Sequence, residues 1–217
     1  MVCIKCISEQ NHEQNIINDK QSQLLFDRKY LEESFEKLIP MLNEEIDSDL
    51  KATIVNITGF RIRQQTQLIY KGTRDGFKAT NFHSLCDNKG PNISYILSET
   101  GQVFGGYTSL SWKSPKWEHI KDQEALIFSL TKNTVHKQYQ SFERALEHNK
   151  GCLMIFGKGQ DIIIESECNN NQKSHCNLGG TYSLPNGYKF EEKQAKDYLA
   201  GAYNFKVIEI EVYSILT

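Results

Sequence analysis

Apolar residues along this chain follow two different patterns. Within residues 1–50, Leu31, Phe35, Leu38 and Leu42 fall at a 4-3-4 spacing that lines one stripe of a helix, flanked by Glu32, Glu33, Glu36 and Lys37. Pro40 cannot donate to a helical ladder and crowds the carbonyl four residues back, so a kink or restart is predicted at Ile39 and Pro40. The stripe packs either on its own domain or on a partner, and the spacing does not decide between them. From Lys51 onward the signal becomes that of strands: ATIVNI (52–57), TQLIYK (66–71), NISYILSE (92–99), QVFGGYTS (102–109), ALIFSLT (125–131), CLMIFG (152–157), DIIIES (161–166) and FKVIEIEVY (205–213). These runs are rich in Ile, Val, Phe and Tyr and are bounded by Gly, Asn or Pro. In the last, Val207, Ile208, Ile210 and Val212 are set against Lys206, Glu209 and Glu211, which predicts one buried face and one facing water.

The turns between these runs are short. Thr100-Gly101 joins two strand-like segments, with Gly101 supplying a positive φ, and Gly157-Lys158-Gly159-Gln160 does the same further on. Antiparallel neighbours linked by tight turns predict a sheet or sandwich and argue against βαβ crossovers. One helix interrupts them. Asp75 is placed to cap it, Ala79, Phe82, Leu85 and Cys86 line one face, and Asn88-Lys89-Gly90-Pro91 ends it. Gly105-Gly106 inside a strand predicts a bulge or a close approach of another backbone.

Composition bounds the function classes. The 217 residues suffice for one large domain, or for one domain with an appendage. The net charge of -2 leaves no electrostatic footprint for nucleic acid, and no Lys/Arg cluster marks a membrane surface. The charge is uneven, with 6 Lys/Arg against 11 Asp/Glu over residues 1–58 and 19 against 16 over the remainder. No apolar run approaches the ~20 residues of a membrane span, and the amino terminus lacks the form of a secretory signal, so a cytoplasmic protein is expected. Six cysteines, of which only Cys3 and Cys6 form a CxxC, fit reduced thiols better than a disulfide framework.

Candidate chemistry is thin. Gly101-x-x-x-Gly105-Gly106 lacks the GK[ST] ending and the following helix of a phosphate loop, which excludes nucleotide binding. The titratable candidates are His83, Cys86, Asp87, Glu99, Cys168 and His175. His83 and Cys86 share a helical face at i, i+3, a spacing open to a Cys–His couple but equally to a core-filling thiol beside a histidine bonded to backbone. Cys168, His175 and Cys176 lie in an Asn-rich stretch read as a polar loop with Asx turns, since C-x6-H-C is not a regular zinc spacing. Cys3-x-x-Cys6 followed by His12 resembles half of a B-box zinc module, but Asn15 stands where a last histidine is expected. Four ligands are needed for a closed site, so no metal and no cofactor is expected.

Five segments point to one family when taken together: GTRDGFKATNFHSLCDNKGP (72–91), GQVFGGYTSLSW (101–112), ALIFSL (125–130), FGKGQDIIIESECNNNQKSHCNLGGTYSLP (156–185) and YLAGAYNFKVIEIEVY (198–213). From about Thr53 the chain resembles a TLDc domain, the module of the oxidation-resistance and nuclear-receptor-coactivator-7-like proteins. The resemblance implies a mainly β fold of α+β type, a two-sheet antiparallel β-sandwich edged by short helices over 51–217, preceded by an acidic helical extension over 1–50. It also implies oxidative-stress resistance, binding to the vacuolar (V-type) proton-pumping ATPase, and no established catalytic mechanism. The family's recurrent residues match here at Gly76, Phe77, Phe82, His83, Cys86 and Asp87, then at Gly90, Pro91, Gly105, Gly106, Tyr107 and Trp112. Further along they match at Asp161, Asn177, Leu178, Gly179, Gly201, Phe205, Glu209 and Glu211. Small, aromatic and turn residues dominate this set, as they do in a fold signature.

The expected function is therefore non-enzymatic protein binding. The first candidate partner is the V-type proton ATPase, at the periphery of an endolysosomal membrane. The alternative is a structural subunit of a cytoskeletal or ciliary assembly, with a thiol antioxidant or enzyme as the third class. Candidate contact residues are Trp117, His119, Asn186 and Tyr188, expected outside strands, and the acidic Glu32, Glu33, Glu44 and Glu45.

Overall fold

The computed structural model describes residues 66–215, which belong to one compact unit spanning Arg63–Thr217. The expected strand at 52–57, the Leu31 to Leu42 stripe, the Cys3/Cys6/His12 set and Glu32, Glu33, Glu44 and Glu45 lie outside the described residues. Two antiparallel six-stranded sheets form the unit. The first has the order β1 (Thr66–Lys71), β12 (Val207–Ile215), β2 (Asn92–Ser98), β3 (Val103–Thr108), β5 (Leu126–Ser129), β6 (Thr134–Lys137). The second runs β11 (Asn204–Phe205), β10 (Ser174–Cys176), β9 (Ile162–Glu165), β8 (Cys152–Phe156), β7 (Leu146–His148), β4 (Glu118–Ile120). Short helices α1 (Gly72–Asp75), α2 (Ala79–Cys86) and α3 (Lys193–Asp197) edge them.

A single buried cluster joins residues of both sheets, from Ile96, Phe104 and Ile210 of the first to Leu153, Phe156 and Ile164 of the second. Aromatic rings run through it edge to face. Tyr70 meets Phe82 at 5.4 Å, Phe82 meets Trp112 at 6.0 Å, and Trp112 meets Phe156 at 5.6 Å. This is the preferred quadrupolar geometry of packed rings. The Trp112 indole N–H, which burial would otherwise leave unpaired, donates to Asn92 Oδ1 at 2.9 Å.

Helix α2 buries the predicted Ala79, Phe82 and Cys86, with Leu85 packed half-buried against the same cluster. Its amino-terminal cap differs from expectation. Asp75 ends α1 and accepts from the Lys71 backbone N–H at 2.9 Å, while the free N–H of Ala79 donates to Ser166 Oγ, 87 positions away in sequence. Tertiary structure supplies the cap that the local sequence seemed to offer.

The predicted alternation of the last strand also fails, for a physical reason. Pairing of β12 with β2 sets Val207 against Ser98 and Glu209 against Leu97, so Ile208 is an extra, bulged residue that shifts the phase. Val207, Ile210 and Val212 then share the core face. The opposite face is not in water: Glu209 and Glu211 are both buried. Glu209 accepts from the Thr73 backbone N–H at 3.0 Å and from its hydroxyl, and Glu211 pairs with Lys71 Nζ at 3.2 Å and accepts from Tyr213 Oη at 2.7 Å. Burial still pushes the Glu209 carboxyl above its ordinary value, against the pull of Thr73.

Gly101 turns at φ 82° between β2 and β3, as the hairpin requires. Gly105 and Gly106 form no bulge, because the register from Asn92↔Thr108 to Leu97↔Val103 is unbroken. Close approach is their reason. A Cβ on Gly105 would stand 1.8 Å from the Ser94 carbonyl oxygen, and one on Gly106 would stand 2.5 Å from the Phe156 ring. Gly106→Val should therefore lower unfolding free energy by about 1–3 kcal/mol, the scale of overpacking. Gly105→Ala should cost at least as much, since its obstacle is backbone. Chemical denaturation measures both, and unchanged stability with lost partner binding would instead make these glycines a contact surface.

Candidate interaction surface

Most signature residues that carry a titratable group are committed to holding the fold. The His83 ring lies with Nδ1 2.8 Å from Asp87 Oδ1 and Nε2 3.0 Å from the Cys152 carbonyl, so both nitrogens face acceptors other than Cys86. Asp87 in turn bridges to Trp112 through backbone. Cys86, Cys168 and Cys176 are wholly buried in the core, and Cys152 of β8 is buried in a separate small cluster with Ile155 and Ile163. Burial pushes every one of these thiols up, Cys152 and Cys168 to about 12. A thiol held so far above neutrality has no thiolate to offer as a nucleophile.

Asp161 is the most constrained of the set. Its fully buried carboxylate accepts from the backbone N–H groups of Gly179 at 2.7 Å, Gly180 at 3.0 Å and Thr181 at 2.8 Å, with Tyr182 more distant at 3.5 Å. The loop it holds is bonded to its surroundings on several sides. Tyr139 Oη donates to the Gly179 carbonyl at 2.6 Å, Tyr182 Oη to the Ala145 carbonyl at 2.8 Å, and Lys158 N–H to Thr181 Oγ1 at 2.8 Å. Leu178 is buried beside it, whereas the buried Asn177 Oδ1 has no partner among the described residues. Gly76, Gly90 and Gly201 each turn the chain at positive φ. Pro91 offers its carbonyl to Ile215 N–H at 2.9 Å, Phe205 meets Phe104 edge to face at 5.7 Å, and Phe77 and Tyr107 are half-buried.

The Asn-rich stretch holds the expected Asx turn, with Lys173 N–H donating to Asn171 Oδ1 at 3.0 Å. It is not all loop, because His175 lies in β10 and reaches Gln160 Oε1 at 2.8 Å while packing on Tyr203. Cys168 and Cys176 point into the core instead. Among the described residues no group of three or more His, Cys, Asp or Glu side chains is placed to hold a metal ion.

Only part of the predicted contact set is presented together. Trp117 is 52% exposed, and its ring stands perpendicular to that of His119 at 6.0 Å. The indole N–H points at His119 Nε2 over a long 3.5 Å, and the other ring nitrogen is Nδ1. That nitrogen lies 3.1 Å from Oε1 of Glu147, a carboxylate only 4% exposed. Contrary to expectation His119 is in a strand, β4, which lies at the outer edge of its sheet. Tyr188 is half-buried against Tyr198 at 5.6 Å and so serves packing, while Asn186 is exposed at its turn. Phe142, 49% exposed on a 3-10 turn (Phe142–Arg144) that packs against β4, escaped the sequence reading. The lone aromatic among Gln140, Ser141, Glu143 and Arg144 was the available signal.

With this geometry in place, comparison with known proteins gives one clear result. The TLDc domain family matches residues 36–216. The chain belongs to the TLDc domain family. That span begins within the stretch read as an acidic lead-in. Among curated proteins none matches the chain. In this TLDc domain no helix of the described residues is long and apolar enough to cross a membrane.

Two outcomes follow for this TLDc domain. Cys86, Cys152, Cys168 and Cys176 should resist a thiol reagent in the native protein and react only on unfolding, scored in a Cys3→Ser/Cys6→Ser background. Rapid native labelling of any of the four would contradict the packing. Asp161→Asn puts an amide donor against backbone donors and should cost about 2 kcal/mol. Burial pushes the Asp161 carboxyl up to about 7, so its share of stability is present at low pH and fades as pH rises from the ordinary carboxylate range through about 7. The asparagine variant should lose that slope, as read from unfolding free energies across this range.

Proposed function

We propose that this TLDc protein acts without catalysis, by binding a large protein complex, and that the complex is the V-type proton-pumping ATPase. Resistance to oxidative stress follows from that regulation, at the periphery of an endolysosomal membrane. Family membership supports the class of function. The observation that carries the binding reading is the division of labour among the residues. The signature groups with chemical potential, His83, Asp87, Asp161, Glu209 and Glu211, are engaged in structural bonds. Two of the most exposed aromatic groups, Trp117 and Phe142, instead flank β4, where Trp117 rests against a histidine that lies on a buried carboxylate. Rigid exposed aromatics are the usual anchors of protein interfaces.

The test uses the full chain as bait on detergent-solubilised membranes rich in the proton pump, at low and high salt. Pump subunits should be retained at low salt, and added protein should change proton pumping by the same membranes. Retention of no pump subunit at either salt would reject the pump as partner.

A further inference from the structure

The rim that carries Trp117 is also an open strand edge. β4 is the outermost strand of its sheet, paired on one side with β7 through Glu118↔His148, His119↔Glu147 and Ile120↔Leu146. Among the described residues no strand pairs its other side, so that row of backbone donors and acceptors faces outward. Edge strands of this kind are templates for another strand. The flanking side chains give the edge a charge. Lys113, Lys116 and Lys121 are all exposed along the segment, and Lys150, whose backbone N–H donates to the Pro115 carbonyl at 2.9 Å, adds a fourth exposed lysine. Glu118, Glu124 and Glu143 are the exposed carboxylates nearby in sequence, against the four lysines.

Beneath the edge the structure is stiff. The Trp117 ring rests edge-on against His119 at 6.0 Å, and His119 is held 3.1 Å from the buried Glu147, so the indole has a defined neighbour before any partner arrives, which lowers the ordering cost of binding. His148, directly across from Glu118, is 2% exposed with both ring nitrogens unpaired among the described residues, and burial holds its imidazole below its ordinary value.

Resting on the protein-binding reading, we infer that the β4 edge accepts an extended acidic segment of a partner protein as an added strand, with Trp117 and Phe142 as its apolar anchors. Main-chain bonds to the open edge supply affinity, and the four lysines select acidic side chains on the added strand. An anionic lipid surface would satisfy the lysines and the aromatics, but it brings no backbone to the edge.

The probe is a fluorescent extended peptide alternating glutamate with valine, titrated into the full chain by anisotropy. Binding should weaken as salt rises. Trp117→Ala should weaken it about tenfold, the scale of a lost anchor. A double Lys116→Glu/Lys121→Glu variant should weaken it further, and an analogue N-methylated along one edge should not bind. Equal binding of a lysine–valine peptide would overturn the inference. So would undiminished binding of the N-methylated analogue, or capture by phosphatidylserine vesicles without binding of the peptide. Applied to the pump assay, the same variants separate the two claims. Pump retention unaffected by either variant rejects this surface and leaves the functional reading intact. Peptide binding without pump retention rejects the pump and leaves the surface intact.

Discussion

The Asp161 carboxylate, buried against the backbone N–H groups of Gly179 to Tyr182, is the constraint from which the rest of this end of the molecule follows. A charge taken out of water must be met by donors, and here nearly all of them belong to one loop. That loop meets the first sheet where Ser183 N–H donates to the Lys137 carbonyl at 2.8 Å, and the second where Tyr182 Oη reaches Ala145. The carboxylate therefore ties together the edge of one sheet, the β8–β9 hairpin and the approach to β7. Glu147 of β7 holds His119, and Phe142 leads into the same segment. The exposed rim is thus braced from within by a buried polar network.

This arrangement explains why a family signature says so little about binding. Conserving a fold uses glycines where backbones touch, aromatics where rings meet, and carboxylates where loops need donors answered. Most such positions are buried or half-buried. A partner meets what is left over, and on this molecule the leftover surface includes a short edge strand decorated with lysine and tryptophan. Substitutions in that decoration would leave the core undisturbed.

How much was legible in the sequence follows the physics of each element. Strands such as Asn92–Ser98 and Cys152–Phe156 were visible because burial on both faces demands a nearly unbroken apolar run. Short strands with charged residues were not: β4 reads EHI and β7 reads LEH, too short and too charged for any period, whereas the equally short but apolar β5 and β9 were found. The Asp75 cap failed because a distant serine did the work, and the water-facing reading of Glu209 and Glu211 failed because α1 lies over them. Ile208 hid a bulge, since a one-residue shift of phase looks in sequence like an ordinary apolar pair. On the rim, Trp117 and His119 were found from residue type alone. Phe142 and the buried Glu147 beneath them needed the fold.

The position of β12 has a consequence for how this molecule comes into being. The strand formed by Val207–Ile215 lies between β1 and β2, two strands that precede it by a hundred residues or more. During synthesis β1 has no neighbour in its sheet until that segment emerges from the ribosome. The local hairpins β2–β3, β5–β6 and β8–β9 can organise earlier. Until β12 inserts, the nascent chain carries two open strand edges and the unpaired apolar faces of Tyr70 and Ile96, a state that invites chaperones. A premature stop between Lys137 and Val207 would leave a gap in the middle of that sheet, not a trimmed end.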